Sequence, residues 1–284
     1  MPKKPEWLRI PYSDNINNEM MADLLKELQL NTVCVEACCP NCSECFSKKT
    51  ATFMILGTVC TRNCAFCNVG YGKPEPVDRD EPARIAVAVK KLALKYVVIT
   101  SVSRDDLQDG GAAHFAAVIK AIRKKQPDIY IEVLIPDISD LKTITDESPA
   151  VISHNIETVK SLYKNIRSDA DYYRSLDVLK NAKKLNPDIY TKSGIMLGLG
   201  ETREEVIEAF YDLFEAGCDY LTIGQYLQPG STHYPVCEYI EPAVFAEYRE
   251  TALKIGFRHV ASAPLVRSSY NAFEAISKQP VRVK

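Results

Sequence analysis

The sequence predicts an α/β fold: a partial, open TIM-type (β/α)6 barrel with N-terminal and C-terminal extensions that cover the barrel. Short apolar, β-branched runs alternate with longer amphipathic stretches along the chain. The apolar runs are nearly continuous, which is typical of parallel strands buried on both faces. A doubly wound open sheet is the alternative, but no glycine-rich dinucleotide fingerprint follows the first strand, which disfavours it.

Six strand–helix units are predicted in chain order, followed by a seventh strand-like run. The strand-like runs are residues 51–57, 96–102, 129–135, 150–155, 191–197, 219–225 and 257–265. The clearest helix-like stretches between them are residues 82–95, 112–125 and 203–217. The last stretch begins with a predicted capping box, Thr202 and Glu205. Its apolar residues recur at helical spacing, at Val206, Phe210, Leu213 and Phe214.

We expect one compact domain made of three segments. An N-terminal extension (residues 1–50) carries a cysteine motif, the partial barrel occupies residues 51–260, and a C-terminal tail spans residues 261–284. The sequence shows no repeat with a period of about 20–50 residues, no low-complexity stretch and no obvious linker. The two extensions are expected to cover the missing wall of the barrel.

Composition excludes several functional classes. The 284 residues carry a formal net charge of −2, so no nucleic-acid partner is expected. No apolar run reaches about 18 residues, so no membrane span is expected. The N-terminus "MPKKPEWLRIPYSDN" lacks the apolar centre of a secretory signal. We therefore expect a cytoplasmic protein whose clustered thiols bind metal instead of forming disulfides.

Three cysteines follow the first predicted strand in a C-x3-C-x2-C run, "CTRNCAFC", which holds Cys60, Cys64 and Cys67. In a parallel barrel, the loops at the carboxyl ends of the strands build the active site. Three thiolates on a tight loop can each hold one iron of a four-iron cluster, and the fourth iron is then open to a small molecule. The alternative is a zinc site with a fourth ligand from elsewhere, although C-x2-C pairs are commoner for zinc.

A second group of cysteines lies upstream, within residues 34–45, and two spacings compete there. Cys39, Cys42 and Cys45 form a C-x2-C-x2-C run like that of ferredoxins. Cys34, Cys39 and Cys45 form a C-x4-C-x5-C run instead. Spacing by itself favours the first set. A zinc knuckle is the structural alternative for the whole group.

The triplet, with Phe66 just before its last cysteine, resembles the signature of the radical S-adenosylmethionine (SAM) superfamily. The resemblance implies a 4Fe–4S cluster whose open iron binds the amino and carboxylate groups of SAM, and cleavage of SAM to a 5′-deoxyadenosyl radical. Candidate SAM contacts are Phe66, Ser101, Ser103, Gly110, Gly111, Asn155, Glu157, Arg174 and Lys192. Hydroxyls and cations suit the methionine part, the glycine loop exposes backbone groups, and Glu157 suits ribose hydroxyls.

Motifs along almost the whole chain resemble those of the lipoyl synthase family. In chain order they are "KPEWLRIP", "CPN", "TSVSRDDLQDGGAAHF", "HNIETV", "TKSGIMLGLGE", "TIGQYLQPGSTHYPV" and "LVRSSY". The resemblance implies that Cys34, Cys39 and Cys45 hold an auxiliary 4Fe–4S cluster. It also implies that a serine of "RSSY" binds the fourth iron of that cluster. By match of position this serine is Ser269, in preference to Ser268.

Two cysteines depart from the family pattern. Cys42 stands where the family need not have a thiol, which leaves ligand exchange or cluster mis-assembly as alternatives. We interpret Cys38 and Cys42 as small, half-buried thiols near the cluster.

The resemblance implies an enzyme, a sulfurtransferase with two 4Fe–4S clusters and SAM as cosubstrate. It would insert two sulfur atoms, at C6 and C8, into an octanoyl chain on a lysine, with the auxiliary cluster as sulfur donor. Implied partners are an octanoylated lipoyl carrier protein (H protein or E2 lipoyl domain), an electron donor such as ferredoxin or flavodoxin, and an iron–sulfur cluster carrier. The alternatives are another radical SAM sulfur-insertion or methylthiolation enzyme, or a non-catalytic iron–sulfur or zinc protein.

Overall fold

The computed structural model describes residues 4–9, 16–47 and 51–277. Residues 1–3, 10–15, 48–50 and 278–284 belong to the predicted extensions and lie outside the described ranges. The chain divides into two compact units. The N-terminal unit is Ile10–Arg62 with Asn68–Ile152, and the C-terminal unit is Met1–Arg9 with Asn63–Cys67 and Ser153–Lys284. The division into extension, barrel and tail therefore stays a prediction.

The N-terminal unit begins with helices and continues as an alternation of strands and helices. Its helices are α1 (Ile16–Glu27), α2 (Val33–Glu36), α3 (Cys42–Ser47), α4 (Glu81–Lys91), α5 (Ala112–Lys125) and α6 (Leu141–Thr145). Its strands are β1 (Asn31–Thr32), β2 (Thr52–Ile55), β3 (Val59–Cys60), β4 (Gly70–Tyr71), β5 (Tyr96–Ser101), β6 (Tyr130–Leu134) and β7 (Val151–Ser153).

Parallel pairing of buried strands forms the centre of the N-terminal unit. β2, β5 and β6 are parallel neighbours, with Thr52 opposite Val98 in the first pair. Every residue of β2 is buried, as are the inner residues of β5 and β6, which is what helices on both faces of a parallel sheet produce. β1 pairs antiparallel with β2. β3 and β4 form a separate parallel ladder that ends at Cys60.

The C-terminal unit repeats the alternation with longer elements. Its helices are α7 (Tyr163–Ile166), α8 (Tyr172–Leu185), α9 (Arg203–Glu215), α10 (Pro242–Ile255) and α11 (Phe273–Ser277), and 3₁₀ turns lie at Glu6–Leu8 and Lys160–Leu162. Its strands are β8 (Tyr190–Leu197), β9 (Tyr220–Gln225) and β10 (His259–Ser262). These three strands are parallel neighbours.

Helix α9 shows how the local sequence determines the packing. Thr202 and Glu205 exchange both hydrogen bonds of a capping box, as predicted. Val206, Phe210 and Leu213 are fully buried in the core of the C-terminal unit. Phe214 is instead 41% exposed and contacts Phe257 edge to face. Phe214 follows the predicted helical spacing but lies at the edge of the apolar stripe.

The predicted elements are confirmed. Each of the seven strand-like runs contains one strand, β2 or one of β5–β10. The three helix-like stretches correspond to α4, α5 and α9. The run at residues 150–155 contains only the short β7, because the chain leaves the sheet at His154 and presents polar side chains there. The α/β class with parallel strands is therefore confirmed.

Candidate functional site

Cys60 ends the short strand β3 in the N-terminal unit, immediately after β2. Its Sγ accepts hydrogen bonds from the backbone N–H groups of Arg62, at 3.4 Å, and Ser103, at 3.3 Å. The carbonyl oxygen of Ser103 in turn accepts a bond from the N–H of Thr61. Because N–H donors stabilise a thiolate sulfur and tune the potential of an attached iron–sulfur cluster, this environment suits a cluster ligand.

An ion-paired arginine fixes the loop that follows Cys60. The guanidinium of Arg62 binds both carboxylate oxygens of Asp105, at 2.9 and 2.7 Å, and also pairs with the buried Asp137. Burial alone would lower the pKa of Arg62, but the hydrogen bonds that it donates to Asp105 and Asp137 outweigh this effect and raise that pKa. Arg62 therefore carries its positive charge, and no local sequence pattern marks this anchor because both acids lie on distant loops.

Cys64 and Cys67 lie in the C-terminal unit, on a turn held by backbone bonds. The N–H of Cys67 donates to the carbonyl of Cys64, at 3.0 Å. Between them, Ala65 donates its N–H to Ile166 at 2.9 Å and accepts from the N–H of Tyr234 at 2.8 Å. Main-chain bonds on both sides of Ala65 fix the direction of the turn whatever side chains it carries.

Two side chains complete the surroundings of this turn. Phe66 packs against the small apolar cluster of Ile166, Leu199, Tyr226 and Val236. His233 approaches the carbonyl oxygen of Cys67 with its Nε2, at 3.2 Å, while its Nδ1 is buried without a hydrogen-bond partner. The turn is thus packed on an apolar side and hydrogen-bonded on a polar one.

Of the upstream cysteines, Cys34 lies on the short helix α2, Cys42 and Cys45 lie on the short helix α3, and Cys38 and Cys39 lie in the loop between them. Thr32 caps α2 through its side chain, and the backbone N–H of Cys39 donates to the carbonyl of Cys34 at 3.1 Å. Burial raises the pKa of the Cys34 thiol to about 12, with smaller increases from Cys39, Cys42 and Cys45. Those four thiols are therefore neighbours, and metal binding there must displace protons.

A buried polar group follows β7 in the C-terminal unit. Asn155 donates from Nδ2 to Glu157 Oε1, at 3.0 Å, and to Ser268 Oγ, at 2.6 Å. Its Oδ1 is buried without a hydrogen-bond partner. A Cβ on Gly194 would lie 2.9 Å from that oxygen, so the glycine leaves room beside the amide. The structure thus brings together Asn155 and Glu157, as predicted, and adds Ser268.

Glu157 occupies an unusual backbone position beside an arginine that the sequence did not reveal. Its φ is +65°, a left-handed value that costs a non-glycine residue about 1–3 kcal/mol. Burial raises the pKa of Glu157, and Arg167, Asn155 and Arg267 partly offset that rise. The buried Arg167 donates to the Asn155 carbonyl and the Tyr163 hydroxyl, both at 3.0 Å. The sequence could have indicated Arg167 only if it had shown where residues 155–157 lie relative to the sheet.

The segment "LVRSSY" lies directly on strand β9. A Cβ on Gly224 would lie 2.2 Å from the carbonyl oxygen of Val266, so the two backbones touch. The N–H of Tyr270 donates to the carbonyl of Arg267, which closes a turn around the two serines. Ser268 is bound by Asn155, whereas Ser269 makes no hydrogen bond with any described residue. The structure thus distinguishes the two hydroxyls.

Comparison with known proteins shows to which family this chain belongs. Residues 54–224 match the Radical SAM superfamily. The lipoyl synthase of Caldicellulosiruptor saccharolyticus is 61% identical over 276 residues, covering 96% of this chain and 97% of that protein. The lipoyl synthase of Alkaliphilus metalliredigens is 56% identical over 97% of each chain, and that of Pseudomonas putida is 50% identical over 100% of this chain and 85% of its own. This chain belongs to the lipoyl synthase family.

Solved structures agree on the fold. Methylornithine synthase superposes with a TM-score of 0.56 at 15% identity, covering 77% of this chain and 73% of its own. The FeFe-hydrogenase maturase HydG from Carboxydothermus hydrogenoformans gives a TM-score of 0.53 at 15% identity, over 79% and 65%. The expected partial TIM-type barrel is thereby confirmed for this member of the lipoyl synthase family.

Membership of the lipoyl synthase family makes this chain a radical SAM enzyme, which implies an iron–sulfur cluster and SAM. The donor set fits a cluster: both cysteine groups supply thiols, the ligands of cubane iron. Within the described ranges, no three His, Cys, Asp or Glu side chains converge on a single ion. Nor does any described helix have the length and hydropathy needed to cross a bilayer.

The remaining predicted SAM contacts have mixed surroundings in this lipoyl synthase family member. Ser101 ends β5 with its Oγ buried and without a hydrogen-bond partner. Gly110 and Gly111 both have positive φ, but the N–H of the first binds Leu107 and that of the second binds Asp109. The N–H groups of Gly110 and Gly111, which we expected to bind a ligand, therefore already form hydrogen bonds within their own loop.

The two predicted cations differ in burial. Lys192 is 3% exposed in β8, as expected for an inward strand position. Arg174 is exposed near the start of α8, where its backbone N–H binds the capping carboxylate of Asp171. The buried Arg167, which contacts the Asn155 loop, has the surroundings that were expected of Arg174.

Proposed function

We propose that this chain is a sulfurtransferase that inserts two sulfur atoms, at C6 and C8, into an octanoyl chain on a carrier-protein lysine, producing a lipoyl group. Similarity to lipoyl synthases over the full length of the chain carries this proposal. The second cysteine group supports it, because a radical generator alone needs only one set of thiolates.

The proposal gives the two cysteine groups different tasks. Cys60, Cys64 and Cys67 hold the radical-generating cluster. Cys34, Cys39 and Cys45, with Ser269, hold the auxiliary cluster. When bound, these groups and SAM supply a radical that removes hydrogen from an unactivated carbon, and the sulfur that replaces it. The protein's part is to hold each sulfur ligand in place, as the N–H donors to Cys60 do.

The choice of Ser269 rests on the surroundings of the two serines. Asn155 already binds the Ser268 hydroxyl at 2.6 Å. The hydroxyl of Ser269 is not engaged by any described residue and is available to a metal. Oxygen is a harder ligand than thiolate and holds cluster iron less firmly. A hydroxyl is therefore suited to an iron that must be released when the cluster gives up sulfur.

The buried polar group around Asn155 is the proposed centre of SAM recognition. The unpaired Oδ1 of Asn155 requires a donor, and a ribose hydroxyl or the methionine ammonium supplies one. Glu157, beside it, accepts a second hydrogen bond when ionised. Further proposed contacts are Phe66, Ser101, Ser103, Gly110, Gly111, Arg174 and Lys192.

The proposed partners are those that the resemblance to lipoyl synthases implies. The substrate is an octanoylated lipoyl carrier protein, either an H protein or an E2 lipoyl domain. Electrons come from a ferredoxin or flavodoxin, and an iron–sulfur cluster carrier rebuilds the consumed cluster. The abundance of free thiols suits a reducing cytoplasm.

The decisive experiment incubates anaerobically reconstituted protein with an octanoylated carrier peptide, SAM and a low-potential reductant. We expect the peptide to exchange two hydrogens for two sulfur atoms, with two 5′-deoxyadenosine molecules formed per product. Iron analysis is expected to give about eight irons per chain, as two four-iron clusters.

Two variants separate the two tasks. Cys60→Ala should abolish both 5′-deoxyadenosine and product. Cys34→Ala should retain 5′-deoxyadenosine while the peptide mass stays unchanged. If the intact protein cleaves SAM but leaves the peptide unchanged, a different radical SAM substrate is indicated. If it cleaves no SAM, the enzyme assignment itself fails.

A further inference from the structure

The segment that carries the proposed auxiliary cluster holds two thiols that the cluster does not use, Cys38 and Cys42, and Cys42 is the one close to a ligand on the same helix. Cys42 begins helix α3, and Cys45 lies three residues later in the same helix. Residues three apart lie on one face of a helix, so these two side chains are neighbours. The fourth thiolate of an all-cysteine site would therefore be present without any contribution from the C-terminal tail.

Backbone bonds also link Cys42 to the two upstream ligands, Cys39 and Cys34. The N–H of Cys42 donates to the carbonyl of Cys39, at 3.1 Å, and the N–H of Cys39 donates to that of Cys34. The N–H of Cys45 donates to Asn41 at 2.9 Å, which continues the same chain of turns. The path from Cys34 to Cys45 is thus folded tightly, and Cys42 lies inside it.

The neighbouring Cys38 is arranged differently. It is exposed, so the expectation of a half-buried thiol is wrong for Cys38. Its φ is a left-handed +48°, and its Sγ accepts a hydrogen bond from Asn68 Nδ2 at 3.4 Å. Cys39, Cys42 and Cys45 are each half-buried, whereas Cys34 is buried. Cys38 therefore serves as a matched control, a thiol of the same segment that is engaged elsewhere.

We propose that Cys42 is an alternative fourth ligand of the auxiliary cluster, which binds the iron that Ser269 otherwise holds. The inference rests on the proposed function, because it requires a cluster on Cys34, Cys39 and Cys45. In the exchange an iron–oxygen bond breaks and an iron–sulfur bond forms. The Cys42 thiol loses one proton, the departing Ser269 hydroxyl regains one, and no electron is transferred.

The exchange would give the auxiliary cluster two forms of different stability. Thiolate is the softer ligand and the one that iron–sulfur clusters favour, so the Cys42-bound form is closed and resists loss of iron. The Ser269-bound form is the one that opens when sulfur is given up. Cys42 thus provides a storage state in which the cluster survives while no substrate is present.

The test isolates the auxiliary cluster in a full-length variant in which Cys60, Cys64 and Cys67 are all alanine. Reconstituted anaerobically, this parent is expected to hold about four irons and four sulfides. Adding Ser269→Ala should leave the iron content unchanged, because Cys42 takes the fourth position. Adding Cys42→Ala as well leaves the fourth iron without a protein ligand, so mild oxidation should lower the content to about three irons and produce the electron paramagnetic resonance signal of an oxidised three-iron cluster.

The controls make each outcome decisive. Replacing Cys42→Ala by Cys38→Ala in the last variant should restore the four-iron content. Circular dichroism checks that each variant folds. If alanine at position 42 destabilises α3, the comparison is repeated with Cys42→Val. Equal iron and identical spectra for the Cys42 and Cys38 combinations would overturn the inference and leave the proposed function intact. A parent without iron would instead remove the auxiliary cluster, and the sulfur-donor role with it.

Discussion

Gly224 offers a direct way to disturb the "LVRSSY" segment from the strand beneath it. A Cβ at this position would lie 2.2 Å from the Val266 carbonyl oxygen and 3.3 Å from Arg267 Nη1. Real Cβ contacts almost never fall below 3.0 Å, so Val266 must retreat by about 0.8 Å in the Gly224→Ala variant. The first obstacle is backbone, which a side-chain rotation cannot relieve.

The effect of Gly224→Ala on stability and turnover depends on whether strand β9 or the segment around Ser269 moves. Overpacking of a fixed backbone costs about 1–3 kcal/mol of folding free energy. If the segment around Ser269 moves instead, the cost in stability is at the lower end of that range. A displacement approaching 1 Å at a reacting group can then reduce turnover by about 100-fold. We expect 5′-deoxyadenosine formation to continue while lipoyl product falls.

Two measurements on the Gly224→Ala variant check this reasoning: urea unfolding, and the ratio of lipoyl product to 5′-deoxyadenosine. Gly70→Ala is the control, because its nearest atom, the Thr58 carbonyl oxygen, is 3.5 Å from the added Cβ. A product ratio equal to that of the unaltered chain would refute the claim that this contact places the serine segment. An equal fall in both products would point to general damage to the barrel.

Three further predictions follow. Ser269→Ala should impair product formation more than Ser268→Ala; the reverse order, measured as lipoyl product per 5′-deoxyadenosine, would reassign the ligand. Burial raises the pKa of Glu157 from its ordinary value of 4.5, so the unfolded chain loses that proton first and stability falls as pH rises above about 4.5. Glu157→Gln should therefore gain free energy of unfolding relative to the parent as the pH rises above about 4.5; a constant difference contradicts the argument. Thr202→Ala should lower that free energy by about 1 kcal/mol through loss of the helix cap, and a loss no larger than that of Thr251→Ala, inside α10, counts against it.

Elements determined by local chemistry were predictable from the sequence. β-branched apolar runs became strands because only buried positions tolerate them in a row, and Thr202 with Glu205 marked the start of α9 because their reciprocal bonds need only four residues. The cysteine triplet was likewise visible, because its spacing and its position after a strand are local facts. The antiparallel β1 was not, since two residues carry no periodicity.

The polar interior of the site lay beyond sequence reasoning for a physical reason. Asn155 meets Ser268 across 113 positions of sequence. Arg62 reaches Asp137 over 75 positions. Such contacts depend on which strand ends become neighbours in the folded sheet. A short stretch of sequence does not contain that information. Arg167 was not predicted for this reason. It becomes buried and donates to the Asn155 carbonyl only when α7 is folded against that loop.

The two kinds of proposed iron ligand are held by different forces, and the difference matches their tasks. Main-chain bonds hold the cysteines: N–H groups bind the Cys60 sulfur, and Ala65 fixes the turn between Cys64 and Cys67. Such bonds persist when side chains rearrange, which suits a cluster that must return unchanged after each turnover. Ser269 lies in a turn closed by one backbone bond, from Tyr270 to Arg267, and otherwise depends on a tail pressed against Gly224 and on a neighbour held by one amide. A ligand held by fewer and weaker contacts can leave, as a consumable sulfur donor requires.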